Sequence, residues 1–320
     1  MLELSPSGGS VKGTKSFHVD EAVIAQFPPG ATFISADIFG SSAWTTTARI
    51  AIELADGRTQ KYYYKCASGD DGRATIDGEF GAMVELHKTL PSFVARPVAS
   101  GHFRTGTTDT YYFFCDFVDL KKQIPEPHRL CKNLAELHRR SISPTGQFGF
   151  HVRTFNGRTA QAIEWSGSWA SFFTQMMSHV MSLDLENNGY WAELDAIEQK
   201  TLAVVVSRLL GVLETGGRSV KPCLLHGNLW EGNTGTSYDT GDVYIYDGAS
   251  FYGHNEMEIG DWRCPYNKIH AKIYTKTYLR HYGMSEPVEE WDDRNRLYSV
   301  YYNIIYSVNH KGQGSNVRQM

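Results

Sequence analysis

Several features that would assign this 320-residue chain to a special class of protein are missing. No apolar run approaches the roughly 18 residues of a membrane-spanning helix, and the first residues lack the apolar core of a signal peptide. The five cysteines are odd in number and widely spaced, without a Cys-x-x-Cys pair, which argues against a disulfide framework and a zinc site. The net charge of -4 gives no electrostatic reason to expect nucleic acid or an anionic membrane as a partner. These absences indicate a globular protein of a reducing compartment, and we expect it in the cytoplasm.

The order of the predicted elements indicates two lobes of different composition. Alternating polar and apolar residues, broken by turn residues, predict strands over 31–39, 48–54, 61–65, 98–103 and 110–117. Helical spacing of apolar residues predicts helices over 76–90, 128–141, 169–183, 192–213, 267–281 and 293–309. The charged, proline-containing segment 119–127 separates the two groups. We therefore predict an α+β chain with a small β-rich lobe over 1–118 and a larger, mostly helical lobe over 119–320.

The segment from Leu225 to Asp247 carries most of the chemical information. Its spacing follows the catalytic loop of protein kinases, H-R-D-x-x-x-x-N, which is followed a hairpin later by a metal-binding Asp. His226 and Gly227 take the places of H-R, and Asn233 falls at the required distance. The amide oxygen of Asn233 and the carboxylate of Asp247 are the hard oxygen ligands that Mg2+ prefers. The segment predicts a phosphotransferase with ATP and Mg2+ as cofactors, in a bilobal, protein-kinase-like fold with a five-stranded antiparallel sheet.

The position of the general base is occupied by Asn228 instead of Asp. An amide has the size and shape of a carboxylate but cannot accept the proton of an acceptor hydroxyl. General bases contribute about 10²–10⁴-fold to rate, so we expect low activity with nucleotide binding retained. A native Asn and an introduced one both remain open, and the otherwise intact set of kinase residues favours the introduced change.

A lysine and a glutamate are candidates for the pair that holds the α- and β-phosphates in kinases. Lys65 ends a predicted strand, and Glu79 lies on the helix that follows it. Lys61 and Glu85 are the competing residues, because Lys61 points to the same face of the strand as Lys65.

Two further groups of residues are candidates for nucleotide binding from their positions. Gly40, Ser41 and Ser42 lie between the first two strands, where small residues let backbone N–H groups approach phosphates. They lack the G-x-G-x-x-G pattern, so an ordinary hairpin is the alternative. Asp116 and Phe117, at the lobe junction, are expected to offer backbone groups to adenine.

The same residues resemble those of a known family. HGNLWEGN at 226–233 and DGASFYGH at 247–254, followed by Glu256, resemble the fructosamine kinase (ketosamine 3-kinase) motifs HGDLW-x-GN and D-x-A-S-F-Y-G-H-x-E. The tail from Arg294 to His310 is similar to the closing R-x-x-LY and NH signature, and the resemblance extends from about residue 40 to residue 310. It implies phosphorylation of the sugar 3-hydroxyl of fructosamine or ribulosamine adducts, free or on protein lysines, which leads to protein deglycation. The family's base is an Asp at the position of Asn228.

The acceptor side of the site is predicted from the resemblance and from position after the metal-binding Asp. The candidates are Gln161, Trp165, His254, Glu256 and Trp262. Aromatic faces with an amide suit a sugar ring, although core packing is the alternative for the aromatic residues, and Ser168 departs from the Asp of the family.

Two other functions stay open on the sequence. One is an aminoglycoside or choline-like phosphotransferase, and the other is a nucleotide-binding pseudokinase scaffold. The expected partners are ATP and a ketosamine or glycated protein, without nucleic acid or membrane, and the oligomeric state is not predicted.

Overall fold

The computed structural model describes residues 17–40 and 45–311. Internal contacts divide the chain into two compact units, residues 1–73 with 98–117, and residues 74–97 with 118–320. The strands are β1 Thr32–Ile38, β2 Thr46–Glu53, β3 Thr59–Ser68, β4 Pro97–His102, β5 Thr110–Asp116, β6 Leu120–Lys121, β7 Phe155–Asn156, β8 Thr159–Ala160, β9 Cys223–Leu225, β10 Thr234–Ser237, β11 Val243–Ile245 and β12 Phe251–Gly253. The α-helices are α1 Glu21–Ile24, α2 Gly69–Thr89, α3 Pro127–Arg140, α4 Trp169–Asn188, α5 Ala192–Lys200, α6 Ser207–Leu210, α7 Asn255–Glu258, α8 Lys272–Tyr282 and α9 Trp291–Asn309.

The first unit contains the predicted five-stranded sheet, with strand order β1-β2-β3-β5-β4. The pairs β1–β2, β2–β3 and β3–β5 are antiparallel. Alternate residues of the central strands, among them Ile50, Ile52, Tyr62 and Tyr64, are buried in one apolar core. The five strands, and with them the α+β fold class, are as the sequence predicts.

A buried carboxylate joins the segment before α1 to the loop after β4. The Asp20 carboxylate accepts hydrogen bonds from the backbone N–H groups of Ala22, Arg104 and Thr105, at 2.8–3.0 Å, and from the Thr105 hydroxyl. Burial opposes ionisation, but these four donors together hold the pKa of Asp20 at about 2. Asp20 also caps α1, so one side chain satisfies donors from two segments far apart in the chain.

The second unit contains helices and short strand pairs. Helix α4 packs on α9 and helix α3 packs on α8. The inward face of α4 is apolar and buried, including Phe172, Phe173, Met176 and Met177. The short pairs are β9 with β12, β7 with β8, and the sheet β11-β10-β6. Among residues 17–40 and 45–311, no helix is long and apolar enough to cross a membrane.

The predicted helix over 192–213 is not one regular helix. Helix α5 gives way to a π-helix over Thr201–Val206, then α6, then a 3₁₀ turn over Gly211–Glu214. The irregular part coincides with a run of β-branched residues, whose stiff side chains crowd the preceding turn of an α-helix. The helix predicted over 267–281 likewise begins only at Lys272, after a short 3₁₀ turn over Lys268–His270.

All five cysteines are buried and none forms a disulfide: Cys66, Cys115, Cys131, Cys223 and Cys264. Burial raises the pKa of the Cys131 and Cys264 thiols to about 12. These side chains are parts of the core.

Candidate active site

The loop that follows β9 and the hairpin β10–β11 bring the two predicted metal ligands to one place. Thr234 pairs with Ile245 at the start of the hairpin, and the Tyr246 N–H donates to the Asn233 carbonyl at 3.1 Å. Asn233 and Asp247 therefore lie at the same end of the hairpin, one on each strand extension.

The side-chain conformations at this end of the hairpin suit a cation. The Asn233 Nδ2 donates to the Asn228 carbonyl at 2.9 Å, so the side-chain oxygen Oδ1 is the atom left to face a ligand. Asp247 is exposed and has a φ of 60°, the one positive φ of a non-glycine residue in the described chain. Asp tolerates this left-handed region better than most residues, and such strain is often found at functional sites.

One amide oxygen and one carboxylate fit Mg2+, which takes few protein ligands when phosphate oxygens and waters complete its octahedron. No cluster of three or more His, Cys, Asp or Glu side chains that could hold a metal occurs in residues 17–40 and 45–311. Binding of Mg2+ by Asn233 and Asp247, together with a nucleotide, stays a prediction.

The start of the loop is fixed by a buried carboxylate. Glu258 is 0% exposed, and its two oxygens accept the backbone N–H groups of His226 and Gly227 at 2.5 and 3.0 Å. The His226 Nε2 lies 3.0 Å from the Tyr246 carbonyl, and burial, opposed by the charge of Glu258, lowers the pKa of this imidazole. His226 is therefore neutral, with its Nε2–H donating to the segment that carries Asp247, and it acts as a structural residue of the loop.

Gly227 is required by the close approach of two chain segments. Its φ is +77°, and a Cβ at this position would overlap the Ala249 carbonyl oxygen. The Ala249 N–H in turn donates to the His226 carbonyl at 2.8 Å. The turn after Asp247 is thereby bonded directly to the loop that carries Asn228, which is half-buried.

In the sheet unit, the two competing lysines differ in burial. Lys65 is 7% exposed, whereas Lys61 is exposed. This difference, which alternation along the strand does not predict, favours Lys65 as the residue with a specific role.

The predicted loop after β1 and the predicted adenine-contacting segment are close within the same unit. Gly40 has a φ of +81°, and the preceding Phe39 contacts Phe117 edge-on with ring centroids 5.1 Å apart. Asp116 accepts a hydrogen bond from Gln60 at 3.3 Å. Ser41 and Ser42 lie outside the described residues, and nucleotide contacts by all of these residues stay predictions.

The two glutamates of α2 have different surroundings. Glu85 lies 3.7 Å from Lys88 and accepts a hydrogen bond from the Tyr252 hydroxyl at 3.4 Å, so it is engaged within its own unit. Glu79 is half-buried. The pairing of Lys65 with Glu79, and the choice of Glu79 over Glu85, stay predictions.

Most of the predicted acceptor residues are buried and have internal partners. Gln161 donates to the Ala249 carbonyl at 2.8 Å, and Trp262 donates from Nε1 to the Leu229 carbonyl at 2.8 Å.

The other three candidates contact side chains. His254 lies between the hydroxyls of Tyr298 and Ser285, both at 2.8 Å, and burial lowers its pKa to about 4. Glu256 is 0% exposed and pairs with Arg294 at 2.8 Å. Trp165, half-buried, stacks on Tyr252 with ring centroids 6.2 Å apart.

Most of the predicted acceptor residues therefore have partners inside the protein and are not exposed to solvent. Gln161 and Trp262 hold backbone carbonyls on either side of the site, and direct contact of any of the five with a substrate stays a prediction.

One residue that holds the loop is not anticipated by the sequence motifs. Asn156, at the end of β7, donates to the Gly227 carbonyl at 3.2 Å. The only signal in the sequence is its place in an Asn-Gly pair, which predicts a turn and nothing about the catalytic loop. Glu258 also lies among several acidic residues that sequence spacing does not distinguish by role.

The fold belongs to the kinase-like class, as comparison with solved structures shows. A crystal structure of a protein assigned as a fructosamine-3-kinase from Haemophilus somnus aligns with a TM-score of 0.71 over 94% of this chain and 93% of that one, at 19% identity. The aminoglycoside phosphotransferase APH(4)-Ia, solved as a ternary complex with AMP-PNP and hygromycin B, aligns with a TM-score of 0.59 over 94% of this chain and 98% of its own, at 13% identity. At these identities the likeness establishes the fold.

The chain belongs to the fructosamine kinase family, whose sequence model matches residues 44–318. It is 28% identical to the chloroplastic protein-ribulosamine 3-kinase of Arabidopsis thaliana over 72% of this chain. The match spans 66% of that relative's length and 65% of its Oryza sativa subsp. indica counterpart, so the chain covers just under two thirds of the plant proteins. It is also 24% identical to the ketosamine-3-kinase of Mus musculus, over 79% of this chain and 84% of that one.

Proposed function

We propose that this protein is an ATP-dependent kinase that phosphorylates the sugar 3-hydroxyl of ketosamines. The acceptors are fructosamine or ribulosamine adducts, free or on protein lysines, and the reaction leads to deglycation. The observation that carries the proposal is the placement of Asn233 and Asp247 at one end of a hairpin that is bonded to the Asn228 loop. Membership of the fructosamine kinase family supports the class of acceptor, as do the names of the plant and mouse relatives.

In this proposal the residues divide the work of phosphoryl transfer. Asn233 and Asp247 would hold Mg2+, which supplies neutralisation of charge on the nucleotide phosphates. Lys65 would bind the phosphates and be oriented by Glu79. Nucleotide-bound structures among the kinase-like neighbours, such as APH(4)-Ia with AMP-PNP, support ATP as the donor.

In this proposal Asn228 contacts the acceptor hydroxyl during phosphoryl transfer. The acceptor oxygen forms a bond to the γ-phosphorus while the bond to the ADP oxygen breaks, and without a carboxylate base the hydroxyl proton passes to water. The Asn228 amide orients the hydroxyl without taking its proton, so turnover is low. A loose transition state makes the base less than absolute, and residual activity is allowed.

The buried candidate residues have positioning roles in this proposal. Gln161 and Trp262 would fix the backbone around the site, and His254 with Glu256 would support the segment after Asp247. Trp165, the least buried of the set, is the one we propose to face the sugar.

The test is the restoration of the base. Asn228→Asp is expected to raise the rate on a fructosamine or ribulosamine acceptor by at least ~10²-fold with little change in ATP affinity. Asn133→Asp, the same chemical change on α3, is the matched control and should leave the rate unchanged.

Two outcomes would contradict the proposal. A folded, nucleotide-binding Asn228→Asp protein with no gain on any ketosamine would favour a scaffold. A gain confined to aminoglycosides or choline-like alcohols would instead identify a different phosphotransferase.

A further inference from the structure

The peptide that joins Gly227 to Asn228 is held from the carbonyl side by one side chain. Asn156 is 9% exposed, and its Nδ2 donates to the Gly227 carbonyl at 3.2 Å. Because the N–H groups of His226 and Gly227 are held by Glu258, both ends of the Gly227 residue are fixed. The direction of this peptide sets where the next side chain, Asn228, points.

Asn156 is itself held by the last residue of α9. The Asn309 Nδ2 donates to the Asn156 carbonyl at 3.0 Å, and its Oδ1 accepts from the Arg158 N–H at 3.0 Å and the Thr159 hydroxyl at 3.1 Å. One amide therefore makes three hydrogen bonds to the β7–β8 hairpin.

Close approach at this hairpin depends on a glycine. Gly157 has a φ of +61°, and a Cβ there would lie 2.9 Å from the Asn309 Nδ2. The hairpin tip is thus built to lie against the end of α9, with Asn156 directed to the catalytic loop on its other side.

From this geometry we infer that Asn156 is a positioning residue for the group at position 228, and that Asn309 keeps it in place. The inference rests on the proposed function. The two asparagines form a relay from the end of α9 through the β7–β8 hairpin to the loop. We expect the relay to act mainly on the chemical step, because Asn156 holds the carbonyl of the residue directly before Asn228.

The first experiment measures turnover in the Asn228→Asp background. Asn156→Ala is expected to lower kcat on a ketosamine by about two- to tenfold, the range for one lost hydrogen bond, with the KM for ATP unchanged. The same substitution in the Asn228 parent should have a smaller effect, since there is no proton acceptor to misplace. A general loss of structure would act equally in both backgrounds.

A second variant reverses the polarity of the contact. Asn156→Asp places a carboxylate against the Gly227 carbonyl, so kcat should fall further than with Asn156→Ala at neutral pH. It should partly recover as pH falls, because the protonated carboxyl can donate again. A purely packing role for Asn156 predicts no such recovery.

The control is Asn187→Ala. Asn187 is another amide that contacts the end of α9, where its Nδ2 donates to the Val308 carbonyl at 3.5 Å, and in the described chain its side chain makes no hydrogen bond to the β7–β8 hairpin. This variant loses one hydrogen bond at the end of α9 and should leave kcat unchanged.

Amide hydrogen exchange decides the inference even if no acceptor is phosphorylated. Asn156→Ala should speed exchange in the peptide covering residues 226–229, whereas Asn187→Ala should not. Unchanged exchange there, or an equal kcat loss in the two backgrounds, would overturn the inference. Absence of ketosamine kinase activity in Asn228→Asp with faster loop exchange in Asn156→Ala would instead refute the proposed function alone.

Discussion

The sheet unit and the loop from His226 to Asp247 hold their functional residues in different ways. Lys65 lies in the β3 ladder, where Thr47 and Phe113 pair with it on either side. The loop has no such ladder at Asn228. Its backbone is held by side chains from elsewhere in the chain, chiefly Glu258 and Asn156. The place of Lys65 therefore follows from the alternating pattern of its own strand. The place of Asn228 depends on a few polar side chains that are distant in the sequence.

The largest effect is expected at the loop. Asp247→Ala should weaken Mg2+-dependent nucleotide binding by at least ~10²-fold, since even supporting residues around a metal are worth 10–100-fold. Calorimetry with ATP and Mg2+ measures this, with the parent chain as the reference. A parent without Mg2+-dependent binding would show that the site is wrongly assigned.

A smaller loss, in the use of ATP, is expected from a substitution in the sheet unit. Lys65→Ala should weaken ATP use by roughly tenfold or more, whereas Lys61→Ala should have little effect, because Lys61 is exposed and Lys65 is buried. Phosphorylation rates at limiting ATP measure the difference. Equal losses of rate in Lys65→Ala and Lys61→Ala would show that Lys65 has no specific role in ATP use.

A loss of stability is expected when Glu258, which holds the backbone of the loop, is changed. Glu258→Gln replaces a buried charged acceptor of two backbone N–H groups and should lower the free energy of unfolding by about 2–3 kcal/mol. Chemical denaturation measures it, and Glu289→Gln, at an exposed acidic residue within the 3₁₀ turn Val288–Glu290, is the control. A loss no larger than that of the control would show that the loop is held by other groups.

Asp20, the carboxylate that anchors the sheet unit, should give the smallest effect, which is present at neutral pH and disappears in acid. The pKa of Asp20 is about 2 in the folded protein and 3.8 ordinarily, so the folded state favours the ionised form. Its contribution of about 2 kcal/mol is fully present above pH ~5 and is lost as pH falls through 3.8 towards 2. Unfolding of Asp20→Asn should therefore differ from the parent at pH 7 and converge with it near pH 2. A constant difference across that range would contradict the assignment.

The sequence predicts the regular parts of this molecule better than the irregular ones. Alternation in β2 and β3 and helical spacing in α4 and α9 reflect burial of one face, a local property. The spacing of Asn233 and Asp247 predicts that they lie close together, and the hairpin between them brings both to one end, whereas their binding of Mg2+ stays a prediction. The supports could not be predicted, because Asn156 and Gly227 are brought together by tertiary packing. The segment 192–213 is helical as predicted but is interrupted by a π-helix at a run of β-branched residues, a local effect that the apolar spacing alone does not indicate.

The burial of all five cysteines has a practical consequence for spectroscopy on this protein. Thiolate is the form that reacts with maleimides, and the pKa of about 12 for Cys131 and Cys264 leaves almost none at neutral pH. A thiol introduced at the exposed Arg158 or Lys311 would then react first. Fluorescent or spin labels could be attached there without first removing the native cysteines from the core.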